Sequence, residues 1–174
     1  GLLSVLFFKS LELSWEMLVG LTIIPGVVLA LWTMRHNGYY AVLASRPGAR
    51  AIVTDICVPI SALAHAVEET HADIARSAIS GPILGHMGDG NFHAILLIDP
   101  DNASEYRAAM QISDRMAERA LALGGTCTGE HGIGMGKLKF MEQEHGLAWE
   151  VMRGLKRQMD PLNILNPGKL LRQN

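Results

Sequence analysis

Gly85-His86-Met87-Gly88-Asp89-Gly90-Asn91-Phe92-His93 joins two apolar stretches, Ser80–Met87 and Phe92–Ile98. Asp-Gly in that setting predicts a β-hairpin, because a type I′ turn needs positive φ at both central residues. With Asp89 and Gly90 at the centre, Gly88 opposes Asn91, Met87 opposes Phe92 and His86 opposes His93. Directly opposed residues of an antiparallel pair point to one side, with Cβ atoms about 4.5–5.5 Å apart. Two imidazoles at that separation suit a shared metal ion, and Gly129-Glu130-His131-Gly132 offers a third ligand.

Outward from the hairpin, Ala51-Ile52-Val53-Thr54-Asp55-Ile56-Cys57-Val58 is β-branched and apolar, ends at Pro59, and reads as a strand. Ser61 is placed to cap a helix running to about Arg76, with Leu63, Val67 and Ile74 on its apolar side. After the hairpin, Asn102 followed three residues later by Glu105 forms a capping box. The helix it opens presents Tyr106, Met110, Met116, Ala120 and Leu123, and Gly124-Gly125 stops it. A glycine-rich loop spans Thr128 to Lys137, and a last helix from about Leu147 to Met159 turns Val151, Met152 and Leu155 inwards. Strand, helix, hairpin and helix in this order predict an α+β fold: an antiparallel sheet with helices packed on one face.

The chain has 174 residues, enough for one domain with a real core. A net charge of −2 with 18% charged residues leaves no basic surface for nucleic acid. Cys57 and Cys127 lack a CxxC spacing, which argues against a disulfide framework and for reduced thiols in a cytosol-like compartment. The opening differs from the rest. Met17 to Met34 carries no charge, a length that just reaches the membrane-spanning range. Pro25-Gly26 in its middle, and Glu12 and Glu16 ahead of it, favour a core element or a foreign segment instead. No basic n-region or small-residue cleavage site marks it as a secretory signal.

Of seven histidines, His65, His71 and His145 lie in polar helical or turn surroundings and read as solvated. His86 and His93 differ, because a turn places them as a pair beside a loop carrying Glu130. Two imidazoles and one carboxylate match a catalytic metal site with open positions, and no thiolate is placed to close it. Zinc, manganese and iron all accept that set. The glycine-rich loop fits neither phosphate template. The third glycine of GxGxxG falls on Lys137, and Leu138 stands where a Walker A motif needs Ser or Thr. Alternation in extended backbone would turn Glu130 to a metal and His131 to a substrate.

His86-Met87-Gly88-Asp89-Gly90-Asn91-Phe92-His93, Gly129-Glu130-His131-Gly132-Ile133-Gly134 and Asp160-Pro161…Asn166-Pro167-Gly168-Lys169 together resemble the C-terminal domain of FAD-linked oxidases. That family includes D-lactate dehydrogenase (cytochrome) and the glycolate oxidase flavin subunit. Leu31-Trp32…Arg35-His36 and Thr54-Asp55-Ile56-Cys57-Val58-Pro59 resemble its D-lactate branch, so the likeness covers about residues 31–172. Residues 1–30 do not resemble the family and are expected to be an atypical apolar segment, with the domain at 31–174. Together with the initial glycine, this reads as a fragment of a longer protein.

The resemblance implies FAD-dependent oxidation of a 2-hydroxy acid, with FAD held mainly in an N-terminal domain outside this chain. D-lactate oxidised to pyruvate is the expected reaction. A glycolate oxidase flavin subunit, or an inactive metal-binding fragment, is the alternative. It implies a divalent metal on His86, His93 and Glu130, His131 as the base, Arg35 holding the substrate carboxylate and Asn166 beside the flavin. Relatives acting on dicarboxylic hydroxy acids carry a lysine where Val53 and Thr54 stand, which favours a small monocarboxylate. The implied electron acceptor is a cytochrome or quinone, with membrane association open. The implied location is mitochondrial in a eukaryote, and cytoplasmic or peripheral to the inner membrane in a bacterium.

Overall fold

A computed structural model of the chain describes residues 15–86 and 88–171. The chain divides into two compact units, residues 1–45 and 46–174. In the first, helix α1 (Trp15–Ala44) runs as a single element with Pro25 inside it. Its large apolar side chains Ile23, Ile24, Val27, Val28, Leu31 and Trp32 are exposed. Among the described residues, no helix is long and apolar enough to cross a membrane. Residues 1–14 of the expected apolar segment lie outside the described part.

The second unit is the α+β domain the residue pattern predicts. Its elements are β1 (Arg50–Val53), β2 (Ile56–Cys57), α2 (Leu63–Ala75), β3 (Ile83–His86), β4 (Asn91–Ile98), α3 (Ala103–Ala122), α4 (Met141–His145) and α5 (Leu147–Met159). All eight residues of β4 are buried, because it is the central strand. On one edge β1 pairs from Arg50↔Ile98 to Val53↔Ile95, and β2 continues in the same register with Ile56↔Phe92 and Cys57↔Asn91. β3 pairs with β4 on the other edge, and every pairing is antiparallel.

The single strand expected over Ala51–Val58 is therefore two short ones with Thr54 and Asp55 between them. The register survives the break. Thr54 N donates to Ala94 O, and the Thr54 hydroxyl accepts from Ala94 N at 2.8 Å in place of a main-chain carbonyl.

The hairpin forms, with a different register from the one counted out from Asp-Gly. His86 opposes Asn91, Gly85 opposes Phe92, and Leu84 opposes His93. Met87, expected opposite Phe92, lies outside the described residues. The physical reason lies at Gly90. It alone of the Asp89-Gly90 pair has positive φ, at 74°, so a type I′ turn is not formed. Its carbonyl accepts from Val58 N at 3.0 Å, and a Cβ built on it would stand 2.0 Å from Val58 O. Gly90 is thus committed to the β2 side, and the chain reverses through Asp89 N donating to His86 O.

Alternate β4 residues face opposite ways. Phe92, Ala94, Leu96 and Ile98 meet Leu63, Ala66 and Ile74 of α2 and Ala109, Ile112, Met116 and Ala120 of α3 in the main core. Asn91, His93, Ile95 and Leu97 belong to the other face. Asn102 caps α3 as expected, accepting from Ser104 N and Glu105 N. Glu105 completes the box differently: its carboxylate takes Asp99 N and the Arg46 guanidinium. Two expectations fail. Ser61 makes no cap, since a short 3₁₀ turn (Ile60–Ala62) precedes α2. On α5, Trp149 is the buried residue, packed with Met141 and Leu171; Met152 joins them as expected, while Val151 and Leu155 point to solvent.

Between α2 and α3, buried Asp73 receives Arg119 at 2.7 Å, and Arg115 and Arg76 at 3.1 Å each. Burial alone would raise its carboxyl pKa; the three guanidiniums outweigh that and hold it below the ordinary value. A depressed folded-state pKa gives stability that is complete above the unfolded value of about 4 and is lost as pH falls through the folded one. Asp73→Asn is expected to lower stability by about 3 kcal/mol at neutral pH. Thermal melts of both proteins should converge as the solution is acidified below about pH 4.

Candidate metal centre

The site grows from an acid in an unexpected place. Asp55 occupies the break between β1 and β2, with its side chain buried. Its carboxylate accepts from the Thr128 hydroxyl at 2.7 Å and from three successive backbone N–H groups: Gly129 at 2.9 Å, Glu130 at 3.0 Å and His131 at 2.8 Å. Asn91 Nδ2 adds a fifth donor at 2.9 Å and also donates to Ile56 O. Both partners of Nδ2 are acceptors, which fixes the orientation of the Asn91 amide. Asn91 Oδ1 is buried without a hydrogen-bond partner among the described residues. Burial would raise the Asp55 pKa, but the hydrogen bonds from His131, Thr128, Asn91 and Glu130 prevail and hold it far below the carboxylate range.

This carboxylate draws the glycine-rich loop onto the His93 face of β4. Gly129 has to be glycine for that approach, since a Cβ there would lie 1.8 Å from Asn91 Nδ2. At the far end of the loop, Lys137 Nζ donates to the Asp55 main-chain oxygen at 2.6 Å. Burial pushes the Lys137 pKa down, opposed by the adjacent Asp55 charge.

The loop delivers Glu130 to the histidines. Glu130 Oε1 stands 2.9 Å from His93 Nε2 and 3.6 Å from His86 Nε2. One ligand atom from each of His86, His93 and Glu130 lies within 4.8 Å of the others. His93 Nδ1 is hydrogen-bonded to Thr54 O at 3.0 Å, leaving Nε2 turned towards Glu130. A backbone carbonyl on the second ring nitrogen is the arrangement that fixes a ligating imidazole.

The register shift does not separate the histidines. A displacement of two residues keeps every side chain on its own face, so His86 and His93 become diagonal neighbours with ring centroids 6.2 Å apart. His131 is in the same cluster, stacked on His93 at 4.9 Å and 11°. Its Nε2 is 3.9 Å from Glu130 Oε1. Asp55, His93 and His131 also fall within ligand distance of one another. The Asp55 oxygens, however, are already engaged by five donors, so the open carboxylate of Glu130 makes the first set the better one.

Arg35 lies on α1, in the other unit, with its guanidinium carbon 5.6 Å from the Trp32 ring centroid. Asn166 is exposed in the C-terminal tail with φ 48°. It lines a cleft of about 450 Å³ with Met152, Lys156, Leu165 and Lys169. His65 and His71 are exposed, as read from sequence, and His145 is half-buried beside Glu144. The residues that sequence reading gave no role are Asp55, Asn91, Thr128 and Lys137. The signal for Asp55 was present: an ionisable side chain inside a β-branched run, where burial requires dedicated partners.

Asp55→Asn preserves volume but removes the charge that the Thr128 hydroxyl and three backbone amides share on Oδ2, and sets a donor NH2 where Oδ1 accepts from Asn91 Nδ2. A loss of about 3 kcal/mol in urea unfolding is expected, with backbone NMR shifts concentrated in residues 128–131.

Residues 24–170 match the family described as FAD linked oxidases, C-terminal domain. The chain is 52% identical over 142 residues to a probable mitochondrial D-lactate dehydrogenase of Danio rerio, a match covering 81% of this chain and 29% of that protein. It is 40% identical over 148 residues to the mitochondrial D-lactate dehydrogenase [cytochrome] of Arabidopsis thaliana, covering 84% and 26%. Against a glycolate oxidase subunit of Bacillus subtilis it is 37% identical over 144 residues, covering 81% and 30%. The chain thus spans less than a third of the length of these relatives.

Proposed function

The chain belongs to the family of FAD linked oxidases, C-terminal domain, and on that premise we propose that it forms the substrate side of an FAD-dependent dehydrogenase oxidising D-lactate to pyruvate. One observation carries this reading. Two imidazoles and a carboxylate, Glu130, converge with a third imidazole, His131, stacked against them. The relatives named D-lactate dehydrogenase support the substrate, and the glycolate oxidase match keeps a small 2-hydroxy acid as the common denominator.

In this proposal His86, His93 and Glu130 hold a divalent ion of the zinc, manganese or iron kind, which their mixed nitrogen and oxygen donors suit. When bound, such an ion would supply Lewis acidity toward the substrate oxygens, and a flavin would supply the hydride-accepting chemistry. His131, exposed at the edge of the cluster, takes the hydroxyl proton on its imidazole. Arg35 presents a planar fork suited to the substrate carboxylate, and Asn166 serves the flavin side. A cytochrome or quinone receives the electrons. The D-lactate relatives named mitochondrial support that location in a eukaryote; in a bacterium it is cytoplasmic or peripheral to the inner membrane.

A second reading, metal binding without catalysis by this chain alone, draws on the share of the relatives' length it spans. Flavin absorbance on the purified chain separates the two.

In a protein carrying this chain with its flavin-binding part, His131→Asn should lower turnover by about 100-fold or more. Its metal content should stay near wild type, whereas Glu130→Gln should lose both. Loss of metal in His131→Asn, seen by elemental analysis, would make His131 a ligand instead. We also propose that residues 1–23, the part of the expected segment 1–30 that precedes the family match, are foreign to the domain. A chain without them should then be more soluble and no less stable, which light scattering and urea unfolding together check.

A further inference from the structure

Asp55 grips the glycine-rich loop at two places. Its carboxylate takes the first part, through the Thr128 hydroxyl and the amides of Gly129, Glu130 and His131. Its main-chain oxygen takes the last part, through Lys137 Nζ at 2.6 Å, and the same ammonium stands 3.6 Å from Asp55 Oδ2. The lysine side chain is only 18% exposed. A mobile, strongly hydrated ammonium gains little from such a position by itself, so its direction onto one residue calls for a reason. The loop between the two grips carries no element of regular structure to hold it.

We infer that Lys137 is a positioning residue: it closes the loop onto Asp55 and thereby holds Glu130 and His131 against His86 and His93. Through the metal, the inference rests on the function proposed above, but its geometric part does not. An aliphatic side chain at 137 would remove the tie from the far end of the loop to Asp55, leaving there the Gly134 O bond from Leu170 N and the packing of Ile133, and the Glu130 carboxylate would sample a wider volume around the two imidazoles.

The test uses the 174-residue chain and three variants, Lys137→Met, Lys137→Arg and Glu130→Gln. Amide hydrogen exchange is read at Gly129, Glu130 and His131, with Leu96 and Ile98 of β4 as internal standards. Zinc affinity is read by competition with a chromophoric chelator. Lys137→Met should speed loop exchange about 10-fold, leave β4 unchanged and weaken zinc binding about 10-fold, as changes behind a ligand do. Lys137→Arg, which keeps the cation, should fall between it and wild type. Unchanged loop exchange, or an equal loss of protection in β4, would overturn the inference. So would faster loop exchange with zinc affinity intact. If wild type and Glu130→Gln bind zinc equally, the metal reading fails by itself, and loop exchange still decides the role of Lys137.

Discussion

A buried carboxylate is stable in a protein only when donors replace the water it has left, and Asp55 has five of them. Three come from consecutive backbone amides, which bend the loop around the acid and fix the direction in which Glu130 and His131 leave it. One comes from Asn91 on β4, so the same acid ties the loop to the central strand. Removing this one side chain would take the shared acceptor from three successive loop amides and the Thr128 hydroxyl. Much of the site's geometry is a consequence of satisfying that charge.

The second constraint is the division of labour across β4. Its even-numbered residues from Phe92 to Ile98 make the core with α2 and α3, and the odd-numbered face offers Asn91 and His93 to the site. The strand is buried from end to end, so the histidine and asparagine are held in a rigid, largely dry setting. Local hydrogen bonding answers for each: His93 Nδ1 with Thr54 O, and Asn91 Nδ2 with Asp55 and Ile56. The break between β1 and β2 makes this arrangement work. It frees the Thr54 and Asp55 main-chain oxygens for His93 Nδ1 and Lys137 Nζ without disturbing the register on either side.

Much of this was legible in the residue pattern. The two halves of the hairpin, the helix capped by Asn102 and the helix over Leu147–Met159 are all present where periodicity and capping residues placed them. The pairing of His86 with His93 was read correctly as to face and wrongly as to register. A turn dipeptide states a preference among turn types, and Gly90 had a stronger engagement with Val58 across the sheet. The inward side of α5 was read correctly at Met152 and wrongly at Val151 and Leu155, for a related reason. Periodicity gives several acceptable faces to a short helix, and the position of Met141 and Leu171 selects the one bearing Trp149.

By itself, the sequence determined the element types, the α+β class and the set of side chains able to ligate a metal, because period, capping and turn chemistry act over a few residues. The tertiary structure alone decided that a strand would break at Asp55, that the glycine-rich loop would wrap its carboxylate, and that Glu130 would arrive beside His93. Those contacts join residues 75 positions apart at Asp55 and Glu130 and 37 apart at His93 and Glu130, and no local preference encodes them. They follow from the need to pair a buried charge with whatever donors the folded chain can bring within reach.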